Sequence, residues 1–369
     1  MSGQVTLYVW SFVLALLFAM SATPLVARLS HRLQLLDMPG GRRKHPRPIP
    51  RPGGLAIFIA FGFAIAVFWS IDILSGGPVL IPEEVRSSRF RLVVLAALVS
   101  VAVGFFDDLV DLRARWQLAG QLLVAAIVVL AGVRIEFVNN PVDPRHIIVL
   151  GALSIPVTFL WIVGMINALN FIDGLDGLAA GVSAIAAVCL GFIALTPAVN
   201  EPFVAWMEFA LAGALIGFLV FNVHPAKLFL GTTGVTFVGT VLATLSIFGT
   251  AKIAAALLVL GVPIIDTFYV IIRRLFERRP PFAPDRGHFH HRLLDVGLSH
   301  AQAVFLIYVI TAVLGAVALV ASGQAQVLAF AAIFIGLGVA VVMLAQRSSK
   351  AQEFEPGLYR NGEDGQQGG

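Results

Sequence analysis

The chain has 369 residues, 58% of them hydrophobic and 12% charged, with a formal net charge of +4 and a mean hydropathy of +0.90. A soluble domain carries about 25% charged residues, so a water-soluble globule is excluded. The long apolar runs also argue against a β-barrel, which would alternate in segments of roughly ten residues, and so small a net charge makes no case for a nucleic-acid partner.

A membrane-crossing helix needs about 20 apolar residues. Eleven such runs lie near 5–27, 55–74, 91–106, 116–133, 148–168, 178–196, 204–221, 234–249, 252–272, 301–321 and 325–345. The third and eighth are short, and the break between the eighth and ninth is weak, so ten is the alternative count. No Lys or Arg precedes the first run, which reads as a spanning helix rather than a cleaved signal. Cys189, the single cysteine, lies in the sixth run as a packing residue and cannot close an intramolecular disulfide. The expected fold is all-α: a polytopic membrane helix bundle of about 11 transmembrane helices over residues 1–346. A polar, Gly- and Gln-rich tail, 347–369, is expected to be disordered.

Basic residues set the orientation. With eleven spans, 19 of the 25 Lys and Arg fall on the side that holds the first loop, the loop before the tenth span and the tail. That side is expected to be cytoplasmic, with the N-terminus outside and the C-terminus inside. The same side collects the polar clusters DMPGGRRKHPRPIPRPGG (37–54), DDLVD (107–111), NALNFIDGLDG (167–177), FNVHPAKLFLGTTG (221–234) and PDRGHFHHRLLD (284–295). Five loops on one face are what a single site would require.

The acids come first in that argument. If the third helix continues through DDLVD, Asp107 and Asp111 share a face, as do Asp108 and Asp111. Asp173 and Asp176 are three apart, and Gly174 and Gly177 permit a tight turn or a broken helix. Five ionised, unpaired carboxylates would repel one another, and a divalent cation resolves this; oxygen ligands with open positions suit Mg²⁺. DDLVD reads equally well as a helix end in water balanced by Arg113 and Arg115. NFIDGLDG has no basic residue nearby in sequence to balance it.

The cations point to phosphate. His288, His290 and His291 stand beside Arg286 and Arg292, and Arg and His are natural partners for phosphate oxygens. Three histidines also raise zinc, but HFHH lacks a helical ligand spacing and no HExxH is present; an ordinary solvated loop is the bland reading. In the first loop, Arg42, Arg43, Lys44, His45, Arg47 and Arg51 could simply meet anionic headgroups, although the surrounding Pro and Gly imply a shaped loop. Neither a P-loop nor a G-x-G-x-x-G turn occurs. The residues alone therefore indicate metal-assisted chemistry on a phosphate-bearing, lipid-linked substrate and leave that substrate unnamed.

Together the motifs resemble those of the polyprenyl-phosphate N-acetylhexosamine-1-phosphate transferases (glycosyltransferase family 4) over roughly residues 30 to 300. DDLVD is similar to the family's DDxxD. NALNFIDGLDGLAAG is similar to its NxxNxxDGxDGLA, the most specific of the set. FNVHPAKLFLG resembles FNxxPAKxFxG, and RRKHPRPIPRPGG resembles the first loop of the sugar-nucleotide branch. PDRGHFHHRLLDVGLS resembles the HxHH loop of the branch that uses UDP-N-acetylglucosamine or a related sugar nucleotide; the phospho-N-acetylmuramoyl-pentapeptide transferases, the alternative branch, carry a different, HHH-type loop. The resemblance implies transfer of a sugar-1-phosphate from a UDP-N-acetylhexosamine to polyprenyl phosphate at a bilayer, with Mg²⁺ or Mn²⁺ as cofactor and a homodimer admitted. It places Asp107, Asp108 and Asp111 in catalysis and Asp108, Asp173 and Asp176 at the metal. Arg43, His45, Asn167, Asn170, Asp173, Asn222, Lys227, Arg286, His288, His290 and His291 would hold substrate. One departure stands out: where the family has F-x-G-D-x-G-S, this chain reads FLGTTGV, with Thr232 at the acid's position and Val235 at the serine's. A relative that binds substrate without turnover is therefore a competing reading. A transporter is a third, and it would show broken helices in matching halves.

Overall fold

A computed structural model of the chain describes residues 2–38, 47–74, 88–140, 146–248, 252–278, 287–321, 324–336 and 338–339. These are mostly helical. In order the helices are α1 (Ser2–Arg32), α2 (Gly54–Leu74), α3 (Ser88–Val110), α4 (Ala114–Leu130), α5 (Ser154–Ile172), α6 (Leu178–Ala194), α7 (Pro202–Asn222), α8 (Gly231–Ile247), α9 (Lys252–Val259), α10 (Gly261–Phe276), α11 (Phe289–Asp295) and α12 (His300–Val320). A further apolar helix spans Gln324–Gly336. Six helices (α1, α2, α3, α5, α7 and α12) are long and apolar enough to cross a membrane, and α9 with α10 makes a seventh if the bent pair is one span. The protein is an all-α, polytopic membrane protein. The expected tail lies outside the described residues.

Packing follows the rule for helices in lipid, where small residues let backbones approach. Gly213 and Gly217, one turn apart on α7, face α1: a Cβ on Gly213 would stand 2.2 Å from the Phe12 carbonyl oxygen, and one on Gly217 2.4 Å from that of Leu16. Trp206 of α7 donates its indole N–H to Ser11 Oγ of α1 at 2.6 Å. α7 lies at the centre: 83% of its apolar window is buried, against 28–39% for the other five long helices. Trp206 and Phe218 on α7 and Phe237 on α8 are among the largest fully enclosed side chains.

Three element boundaries differ from the sequence expectation. α3 runs on to Val110, so Asp107 and Asp108 sit in its last turn, while Asp111 leaves the helix at φ +48. The fifth run does not begin as a helix at 148. Ile147–Val149 (β4) pairs antiparallel with Phe137–Asn139 (β3), Val138 opposite Ile148, because this short β-branched stretch suits a strand better than a helix. The ninth run is two helices meeting at 79°. Pro263 in the first turn of α10 has no amide to donate back to Val259, so the hydrogen-bond ladder cannot continue there. A second ribbon pairs Leu36–Asp37 (β1) with Ile49–Pro50 (β2).

Candidate active site

The polar clusters meet where α3, the α5–α6 turn, the α7–α8 loop, α10 and α11 come together. Asp108 docks on the start of α8. Its Oδ1 accepts from Thr232 N at 2.8 Å, and its Oδ2 accepts from Thr233 N at 2.9 Å and Thr233 Oγ1 at 2.6 Å. A carboxylate there satisfies amides that a helix cannot pair internally and meets the positive end of the helix dipole. Thr232, at the position where an acid was expected, thus contributes its backbone N–H to Asp108, and its hydroxyl makes no hydrogen bond among the described residues.

Asp107 turns the other way. Its Oδ1 accepts from Leu112 N and from Gln117 Nε2, both at 2.9 Å, which fixes the α3–α4 corner. Asp111 is exposed and pairs with Arg51 at 2.7 Å, while the same guanidinium donates Nε to Asp37 at 2.7 Å. Arg51 directly follows β2, and the backbone on both sides of it is held: Phe229 N donates to Pro50 O at 2.9 Å, and Gly53 N to Phe229 O at 3.0 Å. The end of the first loop is therefore stitched to the segment that leads into α8. Arg43, His45 and Arg286 lie outside the described residues.

Asp173 and Asp176 stand on the turn between α5 and α6. Gly177 closes it at φ +80, a left-handed conformation that side chains disfavour. Its amide donates to Asn222 Oδ1 at 3.2 Å, and its carbonyl accepts from Tyr308 Oη at 2.5 Å. Asn222 also donates Nδ2 to Leu228 O at 2.8 Å, so both ends of its amide position loops. Asp176 Oδ2 accepts from Ala226 N at 3.1 Å and faces His224 Nδ1 at 2.7 Å. Asp173 differs from the other four acids of DDLVD and DGLDG. It is half-buried and has no hydrogen-bond or ion-pair partner among the described residues. Burial first, then repulsion from Asp108 and Asp176, raise its carboxyl to about 7.

The histidine segment is anchored by Asp266, a buried acid of α10. Asp266 Oδ2 faces His288 Nδ1 at 2.9 Å, and Oδ1 accepts from Phe289 N at 2.8 Å. His290 is 1% exposed, and neither ring nitrogen has a hydrogen-bond partner among the described residues. It lies on the turn that carries Asp173: a Cβ added to Gly174 would stand 2.2 Å from His290 Nε2. Burial, and then the neighbouring histidines, push its pKa well below the usual imidazole value, so it is a neutral donor and acceptor rather than a cation. His291 packs against it at 4.2 Å between ring centroids.

The remaining candidates divide. Asn167 donates to Gln121 Oε1 at 2.6 Å and to Val163 O at 2.8 Å, tying α5 to α4. Asn170 makes no side-chain hydrogen bond, and Lys227 is exposed with no ion pair, both among the described residues. Asp173, Asn170, His290 and Lys227 therefore keep uncommitted polar groups, while Asp107, Asp111, Asn167 and Asn222 spend theirs on position. Spacing did not point to His224 or His300, and Arg51 was visible only as one of the basic residues of the first loop; Asp266 was visible only as an acid inside an apolar run.

A cation would find Asp173 the best-suited carboxylate, a hard oxygen donor without a partner and destabilised as an ion. Asp108 retains spare acceptor capacity beside it. Among the described residues, one group of three His, Cys, Asp or Glu brings its ligand atoms within 4.8 Å of one another: Asp176, His224 and His300.

Comparison with known proteins matches residues 90–250 to the family described as Glycosyl transferase family 4. A Bacillus subtilis (strain 168) protein, described as "Probable undecaprenyl-phosphate N-acetylglucosaminyl 1-phosphate transferase", is 36% identical over 81% of this chain and 81% of its own length. A Mycobacterium leprae (strain TN) decaprenyl-phosphate N-acetylglucosaminephosphotransferase is 36% identical over 78% of this chain and 77% of its own. A Thermotoga maritima undecaprenyl-phosphate alpha-N-acetylglucosaminyl 1-phosphate transferase is 33% identical over 73% and 76%.

Proposed function

We propose that this chain, which belongs to glycosyl transferase family 4, transfers N-acetylhexosamine-1-phosphate, by preference N-acetylglucosamine-1-phosphate, from a UDP-sugar to polyprenyl phosphate. The observation that carries the reading is that Asp173, a carboxylate with no partner among the described residues, stands on the turn against whose Gly174 His290 packs, a buried imidazole likewise without one. A buried polar group without a partner costs about 1–3 kcal/mol, which a bound substrate would offset. The relatives' names support the N-acetylglucosamine branch over the muramoyl-pentapeptide one.

In this reading an oxygen of polyprenyl phosphate attacks the β-phosphorus of the UDP-sugar. The bond from that phosphorus to the UMP oxygen breaks, UMP leaves with the electron pair, and a polyprenyl-diphospho-sugar forms. The attacking phosphate monoester is already largely ionised near neutral pH, so no strong base is needed. Positioning and charge stabilisation do most of the work. Mg²⁺ or Mn²⁺, held by Asp173 with support from Asp108, would neutralise the diphosphate. Neutral His290 offers a hydrogen bond to diphosphate or sugar without adding charge. Lys227 supplies an exposed ammonium, and Asn170 an uncommitted amide at the end of α5. Asp108 sets the start of α8 against α3. We further place these loops on the cytoplasmic face of a bundle with eleven spans and the N-terminus outside, from the distribution of Lys and Arg.

The test is release of UMP by purified protein given polyprenyl phosphate, Mg²⁺ and each of several UDP-sugars. UMP is expected with UDP-N-acetylglucosamine. Its absence with every UDP-N-acetylhexosamine, where a relative is active, rejects the transferase reading. Thr232 favours a second reading, a relative that binds without turnover; ligand-induced thermal stabilisation with no UMP would establish it.

A further inference from the structure

Asp176, His224 and His300 form a cluster separate from the uncommitted carboxylate of Asp173. Asp176 comes from the α5–α6 turn, His224 from the α7–α8 loop, and His300 is the first residue of α12. Each turns one ligand atom to within 4.8 Å of the other two. The imidazoles of His224 and His300 stack at 4.1 Å, tilted by 20°. His300 Nε2 reaches the Asp176 carbonyl oxygen at 3.3 Å, the long end of hydrogen bonding, so this nitrogen is only weakly engaged.

The supports behind the cluster are firm. Ala226 N donates to Asp176, and Tyr308 and Asn222 clamp the neighbouring Gly177. Ser299 and Gln302 form a reciprocal capping box at the first turn of α12, which sets the backbone of His300. The open side is the His224 side chain, 51% exposed, which leaves a route for an ion and room for water as further ligands.

We propose that Asp176, His224 and His300 bind a divalent transition-metal ion of the Zn²⁺ or Co²⁺ class. Two imidazole nitrogens and one carboxylate oxygen suit these ions, whereas Mg²⁺ prefers an all-oxygen shell. Ligands held tetrahedrally at about 2.0–2.1 Å from zinc stand about 3.3 Å apart. His224 Nδ1 and Asp176 Oδ2, now 2.7 Å apart, must separate by about 0.6 Å, which side-chain rotation of exposed His224 supplies. On binding, the proton between His224 Nδ1 and the carboxylate leaves to solvent, because a metal-bound imidazole nitrogen carries none.

The ion would fasten three segments together. One of them carries Asp173, three residues before Asp176, and another carries Lys227, three residues after His224. On the transferase reading, it would thereby stiffen the wall of the substrate site; binding itself does not depend on that reading.

The experiment uses full-length protein purified in detergent without a histidine tag and stripped with a chelator. It is dialysed against Co²⁺ or Zn²⁺ in a large excess of Mg²⁺, and bound metal is measured by mass spectrometry and by the visible absorption of Co²⁺. One equivalent of ion is expected, with a Co²⁺ band that Mg²⁺ does not displace. His300→Gln and His224→Gln should each lose the band and weaken binding by roughly 10–100-fold. Asp173→Asn should keep it, which separates this site from a Mg²⁺ site at Asp173. Both histidine variants should melt within a few degrees of the metal-free wild type, since neither ring is buried in the core. Sub-stoichiometric metal, displacement by Mg²⁺, or undiminished binding in both histidine variants would overturn the proposal. None of these readouts requires turnover, so a failed UMP assay leaves the result interpretable.

Discussion

Replacing Asp173 with Asn separates a catalytic carboxylate from a stabilising one. The carboxyl is raised from 3.8 to about 7, chiefly by burial. That rise corresponds to about 4 kcal/mol against the ionised form. The group is partly open to water, and screening reduces this to about 2 kcal/mol. The sign follows from proton linkage. Below pH 3.8 the folded and unfolded chains both hold the proton, and there is no penalty. Between there and about 7 the unfolded chain ionises first, and above about 7 the folded chain carries the whole cost. Asn cannot ionise. In chelator at pH 8, Asp173→Asn should therefore melt a few degrees above wild type, by tryptophan fluorescence in detergent. The gain should shrink at pH 5, Mg²⁺ should raise Tm for the wild type alone, and UMP release should be lost. A variant that melts at or below the wild type at pH 8 would mean that Asp173 has a stabilising partner, and the assignment of a strained, uncommitted carboxylate would fall.

Asp108→Asn should behave in the opposite way. An amide nitrogen facing Thr233 N–H places donor against donor, and loss of one or two charge-assisted bonds should cost about 2–4 kcal/mol together with activity, read by melting temperature and UMP release. Thr232→Asp should lower the Mg²⁺ concentration needed for half-maximal activity, measured by Mg²⁺ titration of initial rate; an unchanged requirement would mean that the site is built around other groups. Asp266→Asn leaves one acceptor for the two donors of His288 and Phe289, and should raise KM for the UDP-sugar more than it lowers kcat. Equal effects on kcat and KM would argue against a role in placing the histidine segment.

Much of the helical framework was legible because lipid imposes one rule on every span. Each of the eleven apolar runs contains helix among its described residues. The boundaries that moved did so for local reasons the rule ignores. Pro263 breaks the ninth run, and the pairing of Ile147–Val149 with Phe137–Asn139 delays α5. At the candidate site, the motifs marked segments that the fold brings together, but not how their side chains are partnered. DDLVD promised carboxylates on a shared helical face. In the fold, Asp107 braces a corner, Asp108 caps α8 and Asp111 leaves the helix to meet Arg51. No spacing could reveal this, because each partner comes from another segment. Asp266 with His288, and Asp176 with His224, are likewise pairs made only by tertiary contact.

The carboxylate of Asp108 on the amides of Thr232 and Thr233 also bears on inhibitor chemistry. The start of a helix is normally an inviting place for a phosphonate or sulfonate warhead. Here that seat is taken by a negative charge belonging to the protein, so an anionic compound aimed at it would meet repulsion. A compound that presents an amine or amidine toward Asp108 and Asp173, and keeps its anionic groups for Lys227, follows the polarity of these walls.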